Sequence, residues 1–262
     1  MNTFYFSYIG NKRLEYKIIK DYLPNNSNIK YFVEPFAGSA AVGYLFYKDN
    51  KQANIEYIIN DLDGNLIKFY EAVQNNKLKS MIAFINRNLS SSAFERIKKK
   101  KTKNLNEWFY MKKIYSRYEG INPFKNRTPK RKVNNIQYDK YHEREEFDKQ
   151  LVLTSLDFTE ILDVFKNNKK AFLFIDPPYL DSFNSKYSEY QNGLTEDGTI
   201  VDRTMIFIQL KQFLDVAKCK VMIVINSNAI INYIFKGYIR HEYSKTYGST
   251  KKKTRHVIIT NY

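Results

Sequence analysis

The residues best suited to chemistry are Asp176-Pro177-Pro178-Tyr179. They follow the apolar run Phe172-Leu173-Phe174-Ile175, so the acid falls at the carboxyl end of a predicted strand. Two prolines cannot donate to a strand ladder, so the strand must stop here. They also stiffen the chain and fix the direction of nearby carbonyls. An acid, a rigid backbone and an aromatic ring then sit together. That set suits a planar, amino-substituted base: Asp176 and the Pro177 carbonyl can accept the two amino protons, and Tyr179 can stack on the ring. The plain alternative is a polar turn that ends a strand. A second candidate is the turn at Gly38, between the run Tyr31-Phe32-Val33-Glu34 and a predicted helix over Ala40 to Tyr47. Small residues there let backbone amides approach a ligand at a helix N-terminus. Asp61 ends a further apolar run, where a carboxylate can accept from both hydroxyls of a ribose. It could equally cap the helix that begins at Leu62.

These residues need elements to hold them. Short apolar runs recur at Tyr31–Glu34, Tyr57–Asp61, Leu151–Thr154, Phe172–Asp176, Val221–Asn226 and His256–Thr260. Their length and their β-branched and aromatic content suit strands buried on both faces. Amphipathic segments of helical length lie between several of them. Leu62 to Gln74 presents Leu62, Leu66, Phe69, Tyr70 and Val73 on one side, and Met205 to Ala217 is another. Alternating strands and helices predict a mainly parallel sheet covered on both faces. In such sheets ligands sit beyond the carboxyl ends of the strands, which singles out Glu34, Asp61, Asp176 and Asn226.

The chain of 262 residues has a formal net charge of +16, which favours a polyanionic partner. The charge is concentrated: Arg96 to Lys149 holds 17 Lys or Arg against 7 Asp or Glu, leaving +10 in about a fifth of the length. A uniform coding bias toward lysine would not produce that. The basic stretch interrupts the strand pattern and predicts an inserted domain over 76–150, flanked by a main domain of 1–75 and 151–262. Within it, Lys98 to Lys101 with Lys103, and Arg127 with Lys130, Arg131 and Lys132, form two clusters suited to phosphates. One cysteine, Cys219, precludes an internal disulfide and reads as a core filler. His142, His241 and His256 lack metal-ligand spacing, so no metal is expected. Met1 to Gly10 lacks the basic start and apolar run of a signal peptide, and no run is long enough to span a bilayer. A cytoplasmic or otherwise intracellular protein without a membrane partner is expected.

Taken in order, these motifs resemble the Dam-like DNA adenine-N6 methyltransferases over nearly the full chain. Asp176 to Tyr179 is the DPPY motif of amino-group methyltransferases. Tyr8-Ile9-Gly10-Asn11-Lys12 resembles the N-terminal cofactor motif, Phe32 to Val42 the Gly-rich loop, and Asn60-Asp61 the acidic ribose-binding motif. Leu156-Asp157-Phe158 resembles the segment beside the cofactor's adenine, and Ile225 to Asn228 a later structural motif. Cofactor motif, inserted domain and then DPPY is the alpha arrangement of this class. Where the family usually has a second glycine in its loop, this chain has Ala40, which resists positive φ.

The resemblance implies an α/β fold: a Rossmann-like methyltransferase sheet with helices on both faces, plus an inserted, mostly helical DNA-recognition domain with a hairpin. It implies S-adenosylmethionine as cofactor, held by Tyr8, Lys12, Glu34, Phe36, Ala37, Gly38, Ser39, Asp61, Asp157, Phe158 and Asp176. Catalysis falls to Asp176, Pro177, Pro178 and Tyr179, with the base turned out of the duplex. Double-stranded DNA is the expected partner, contacted by Arg117, Arg127, Lys130, Arg131 and Lys132. Arg117 to Thr128 resembles the recognition hairpin of GATC-specific members, which makes Arg127 the candidate base reader. The polar loop Ser182 to Gly198, with Tyr187 and Tyr190, either closes over the base or is a plain surface loop. No cysteine nucleophile is needed; Cys219 reads as a buried filler before the strand at Val221, which argues against C5-cytosine chemistry, where a catalytic cysteine is required. Two alternatives stay open: an RNA or protein amino-group methyltransferase, and a catalytically silent DNA-binding scaffold. Pairing with a restriction nuclease is also open.

Overall fold

The computed structural model describes residues 4–6, 12–25, 28–118, 134–179, 203–246 and 253–262. The chain divides into two compact units, Met1–Asn11 with Gly64–Leu153, and Lys12–Asp63 with Thr154–Tyr262. The strands are β1 (Tyr31–Glu34), β2 (Glu56–Asn60), β3 (Leu151–Thr154), β4 (Ala171–Ile175), β5 (Lys220–Asn226), β6 (Ile239–Thr246) and β7 (Lys253–Thr260). They form one sheet of order β3-β2-β1-β4-β5-β7-β6.

In the second unit, β1 pairs in parallel with β2 and β4, and β4 with β5. All five residues of β4 are buried, as expected for a parallel strand covered on both faces. The helices of this unit are α1 (Tyr16–Ile19), α2 (Ala41–Asp49), α8 (Phe158–Phe165), α9 (Arg203–Val216) and α10 (Ala229–Ile234). On one face Val33, Leu173, Ile175, Val221, Ile223 and Ile225 form a core with Ile161 and Leu162 of α8, Leu210 and Phe213 of α9 and Ile231 of α10. On the other, the Phe32 ring packs on Phe46 of α2 at 4.9 Å and on Phe172 at 5.4 Å. Period-two alternation sends odd and even residues to opposite faces, so both sides need apolar cover.

The last two strands run against the rest. β7 is antiparallel to β5 and to β6, with Asn226 opposite His256 and Tyr243 opposite His256. Strand β6 is absent from the apolar runs of the sequence. Its residues Ile-Arg-His-Glu-Tyr-Ser-Lys-Thr are mostly polar because it is the sheet's edge and buries only Tyr243 fully.

The first unit is helical: α3 (Gly64–Gln74), α4 (Leu78–Arg87), α5 (Ser91–Lys98), α6 (Leu105–Tyr118) and α7 (His142–Asp148). Leu66, Phe69, Tyr70 and Val73 of α3 are buried, and Phe69 packs on Phe109 of α6 at 4.7 Å. Leu62, expected on that apolar face, instead precedes the helix and is 73% exposed. Arg144 and Asp148 form a buried ion pair at 3.0 Å one helical turn apart. The rings of Phe4, Tyr5, Tyr70 and Phe147 surround the Arg144 guanidinium at 5.1 to 5.9 Å.

Candidate active site

The site residues of the second unit gather at the carboxyl ends of β1, β2 and β4. Asp176 directly follows β4. Its Oδ1 lies 2.5 Å from Lys12 Nζ, and the same ammonium donates to the Tyr179 hydroxyl at 2.9 Å. Lys12 is 2% exposed, so its charge is met by Asp176 with little help from water. Burial pushes the Asp176 carboxyl above its ordinary pKa, and the Lys12 charge offsets part of that rise. A carboxylate shifted this way is a better acceptor for a proton released by a substrate amine. Pro177 is buried and Pro178 half-buried, so the backbone between acid and ring is enclosed.

The loop after β1 turns sharply. Gly38 and Ala40 both adopt left-handed backbone, with φ of 51° and 45°. Alanine therefore takes the conformation that it resists, at a cost of about 1–2 kcal/mol. The turn is closed by Ala40 N–H donating to the Ala37 carbonyl at 2.7 Å. Gly38 N–H donates to Asp61 Oδ2 at 2.8 Å, and Asp63 N–H donates to Asp61 Oδ1 at 3.0 Å. Asp61 is thus tied to the loop and to its own chain two residues on, an Asx-type turn.

Asn60, beside it, holds the surrounding loops. Its Nδ2 donates to the Pro35 and Leu156 carbonyls, each at 3.0 Å. Its Oδ1 accepts from the Thr154 hydroxyl at 2.8 Å and from Leu156 N–H at 2.9 Å. One buried amide therefore fixes the spacing of the β1 and β3 loop ends. The type of this residue was legible in the motif, but its role was not.

Glu34 is buried and accepts from Gly43 N–H of α2 at 3.3 Å; a side chain on Gly43 would meet its Oε2 at 3.0 Å. The Phe36 and Phe158 rings lie 5.0 Å apart at 33°. Ala37 and Ser39 are buried in the loop. Asp157 is exposed and caps α8, accepting from Thr159 N–H at 2.9 Å within a capping box that includes Glu160. Tyr8, Arg127, Lys130, Arg131, Lys132, Tyr187 and Tyr190 lie outside the described residues, as does the side chain of Arg117. In the first basic cluster, Lys100 pairs with Glu107 at 2.5 Å and Lys103 donates to the Lys100 carbonyl at 2.6 Å. Among the described residues no group of His, Cys, Asp or Glu is placed to hold a metal ion. No helix among them is long and apolar enough to cross a membrane.

The arrangement fits a nucleoside-bearing cofactor. A carboxylate tied to the loop ends β2, a left-handed turn follows β1, and two tilted aromatic rings, Phe36 and Phe158, pack beside them. An acid and an aromatic ring, both held by one lysine, follow β4 as a second recognition point.

Comparison with known proteins agrees. The chain belongs to the D12 class N6 adenine-specific DNA methyltransferase family, which matches residues 8–249. It is 25% identical to the type II methyltransferase M.CviBI of Paramecium bursaria Chlorella virus NC1A, over 97% of each chain. It is also 25% identical to the type II methyltransferase M.MjaIII of Methanocaldococcus jannaschii, over 71% of this chain and 73% of that one. Among solved structures, the rRNA methyltransferase aviRa of Streptomyces viridochromogenes is 10% identical, with a TM-score of 0.44 over all of this chain and 90% of that one. Family membership makes the chain an S-adenosylmethionine-dependent enzyme that methylates adenine N6 in DNA.

Proposed function

We propose that Asp176 and Tyr179 receive the target adenine and that the loops after β1 and β2 hold the cofactor. The observation that carries this reading is the single buried ammonium of Lys12 bound to both Asp176 and Tyr179. With Asp176 Oδ1 engaged by Lys12, Oδ2 is the acceptor for one amino proton of the base, and the Pro177 carbonyl accepts the other. Tyr179 stacks on the ring. Those two acceptors localise a lone pair that is otherwise conjugated into the purine. S-adenosylmethionine, when bound, supplies an electrophilic sulfonium methyl. Asp61 would take the ribose hydroxyls, and Phe36 and Phe158 the cofactor's adenine. In-line transfer needs no covalent enzyme intermediate, so this chain's task is alignment. Asp176 then takes the proton that the methylated nitrogen releases.

The same proposal covers the parts outside the chemistry. Segment 76–150 acts as the target-recognition domain on double-stranded DNA. Arg127 reads a base, while Arg117, Lys130, Arg131 and Lys132 hold phosphates, at GATC or a related short site. The names of the type II relatives support a partnership with a restriction nuclease. Methyl transfer from radiolabelled S-adenosylmethionine to unmethylated duplex DNA, with nucleoside analysis and sequencing, tests the reading. N6-methyladenine at one short site is expected. Incorporation into RNA, or none from folded DNA-binding protein, would overturn it.

A further inference from the structure

Behind Lys12 lies a buried polar cluster that the chemistry above does not use. The register of β6 with β7 sets Tyr243 opposite His256, and Lys245, two residues beyond Tyr243, shares its face. All three converge on Glu15. The Tyr243 hydroxyl donates to Glu15 Oε2 at 2.6 Å, His256 Nδ1 lies 2.9 Å from the same oxygen, and Lys245 binds Oε1. Glu15 is 4% exposed and His256 fully buried.

The cluster is joined to the site in two places. Glu15 N–H donates to the Lys12 carbonyl at 3.0 Å, so the two residues close one turn. The His256 ring lies 5.6 Å from the Tyr179 ring at 89°. Lys12 pairs with Asp176 at the end of β4, and its charge also acts on Glu15 of its own turn. Tyr179 is held by Lys12 at its hydroxyl and by His256 against its ring.

Apolar side chains would stabilise a core at this place at least as well as buried charges. Three polar groups, Tyr243, His256 and the partly exposed Lys245, all directed at one buried carboxylate, instead fix direction. We propose that Glu15 is a positioning residue for methyl transfer: with Tyr243, Lys245 and His256 it sets Lys12 and the Tyr179 ring, and through them the Asp176 carboxylate. This rests on the reading of Asp176 and Tyr179 as the adenine-binding pair. Glu15 stays ionised for the purpose. Burial would raise its pKa, but the bond from His256 and the charges of Lys12 and Lys245 pull it down to about 2.

The test is methyl transfer by the full chain to unmethylated genomic duplex DNA, followed under both single- and multiple-turnover conditions, beside separate binding measurements for S-adenosylmethionine and DNA. Glu15→Gln keeps the shape and removes the charge. It is expected to lower kcat about 10- to 100-fold, the scale of a small misplacement in a reacting pair. Affinity for cofactor and DNA should stay within about 3-fold, the split that marks an effect on the transition state alone. Glu15→Asp, which keeps the charge, should recover much of the rate. A folded Glu15→Gln variant with wild-type kcat, or one that loses only affinity, overturns the proposal. Should Glu15→Gln fail to fold by circular dichroism, Tyr243→Phe decides, since it removes one hydroxyl from the cluster. A kcat about 5-fold lower supports the proposal, and an unchanged kcat overturns it. Asp176→Ala runs in parallel. If it stays active, the reading of the adenine site fails. If it is inactive while Glu15→Gln is normal, only the role of Glu15 fails.

Discussion

Asn60→Leu would test how the site is held. Leucine keeps the volume and removes all four hydrogen bonds of the buried amide. The half-buried Thr154 hydroxyl can turn toward water, but the Pro35 carbonyl and both backbone groups of Leu156 lose their side-chain partner. At about 1 kcal/mol or slightly more for each of three backbone groups, the loss is about 3–4 kcal/mol. Added apolar burial returns about 1 kcal/mol, leaving about 2–3 kcal/mol. Urea unfolding should show a midpoint lowered by about 1 M at an unchanged slope. Circular dichroism is the right probe, because the single tryptophan, Trp108, belongs to the helical unit and not to the sheet-bearing one. Asp61 and Ala37 are tied to the same node, through Asp61 N–H to the Thr154 carbonyl and Ala37 N–H to the Asn60 carbonyl. Affinity for S-adenosylmethionine should therefore fall about tenfold, or about 1.4 kcal/mol. A stability loss under about 1 kcal/mol with unchanged cofactor affinity would refute the role given to Asn60.

Asp176→Ala should abolish methylation while leaving DNA affinity, measured by gel shift, close to wild type. Ala40→Gly relieves the left-handed strain but loses a buried methyl and adds unfolded-chain freedom. These terms nearly cancel, so thermal unfolding should move by less than about 1 kcal/mol. Ala40→Val places a β-branched side chain at the same φ and should cost more than about 2 kcal/mol on the same measurement. Glu15, faced by Lys12, Tyr243, Lys245 and His256 with Asp176 beyond Lys12, has a carboxyl lowered from 4.5 to about 2. A depressed carboxyl stabilises the fold above its unfolded pKa and loses that contribution as pH falls through the folded one. Unfolding free energies between pH 5 and pH 2 should therefore drop by about 3 kcal/mol more in wild type than in Glu15→Gln. Replacing Lys98 and Lys99 by glutamine should flatten the log–log salt dependence of DNA binding by about 1.8 if both contact phosphates.

Much of the sheet was readable because parallel strands buried on both faces must be apolar throughout. β1, β2, β4 and β5 announce themselves as runs such as Ala-Phe-Leu-Phe-Ile. Strand β6 was not readable, since an edge strand has no such requirement. The density of basic residues from Arg96 to Lys149 was also plain, yet part of it is structural. Arg144 is buried in an ion pair, Lys113 binds the Tyr5 carbonyl and the Tyr141 hydroxyl, and Lys100 pairs with Glu107. Charge counts do not distinguish a phosphate-facing lysine from one spent inside the fold.

By itself the sequence determined the family, the strand ends where chemistry falls, and the acid, the prolines and the ring that follow β4. Those are local properties: residue type, apolar period and a four-residue motif. Only the tertiary structure decided that Lys12 reaches Asp176 and Tyr179, 164 and 167 positions away, and that Glu15 meets Tyr243, Lys245 and His256 near the other end of the chain. The pairing register of β6 with β7 and the turn from Lys12 to Glu15 bring those groups together. A buried charge is defined by its neighbours in space, and no spacing along one chain specifies which distant groups those will be.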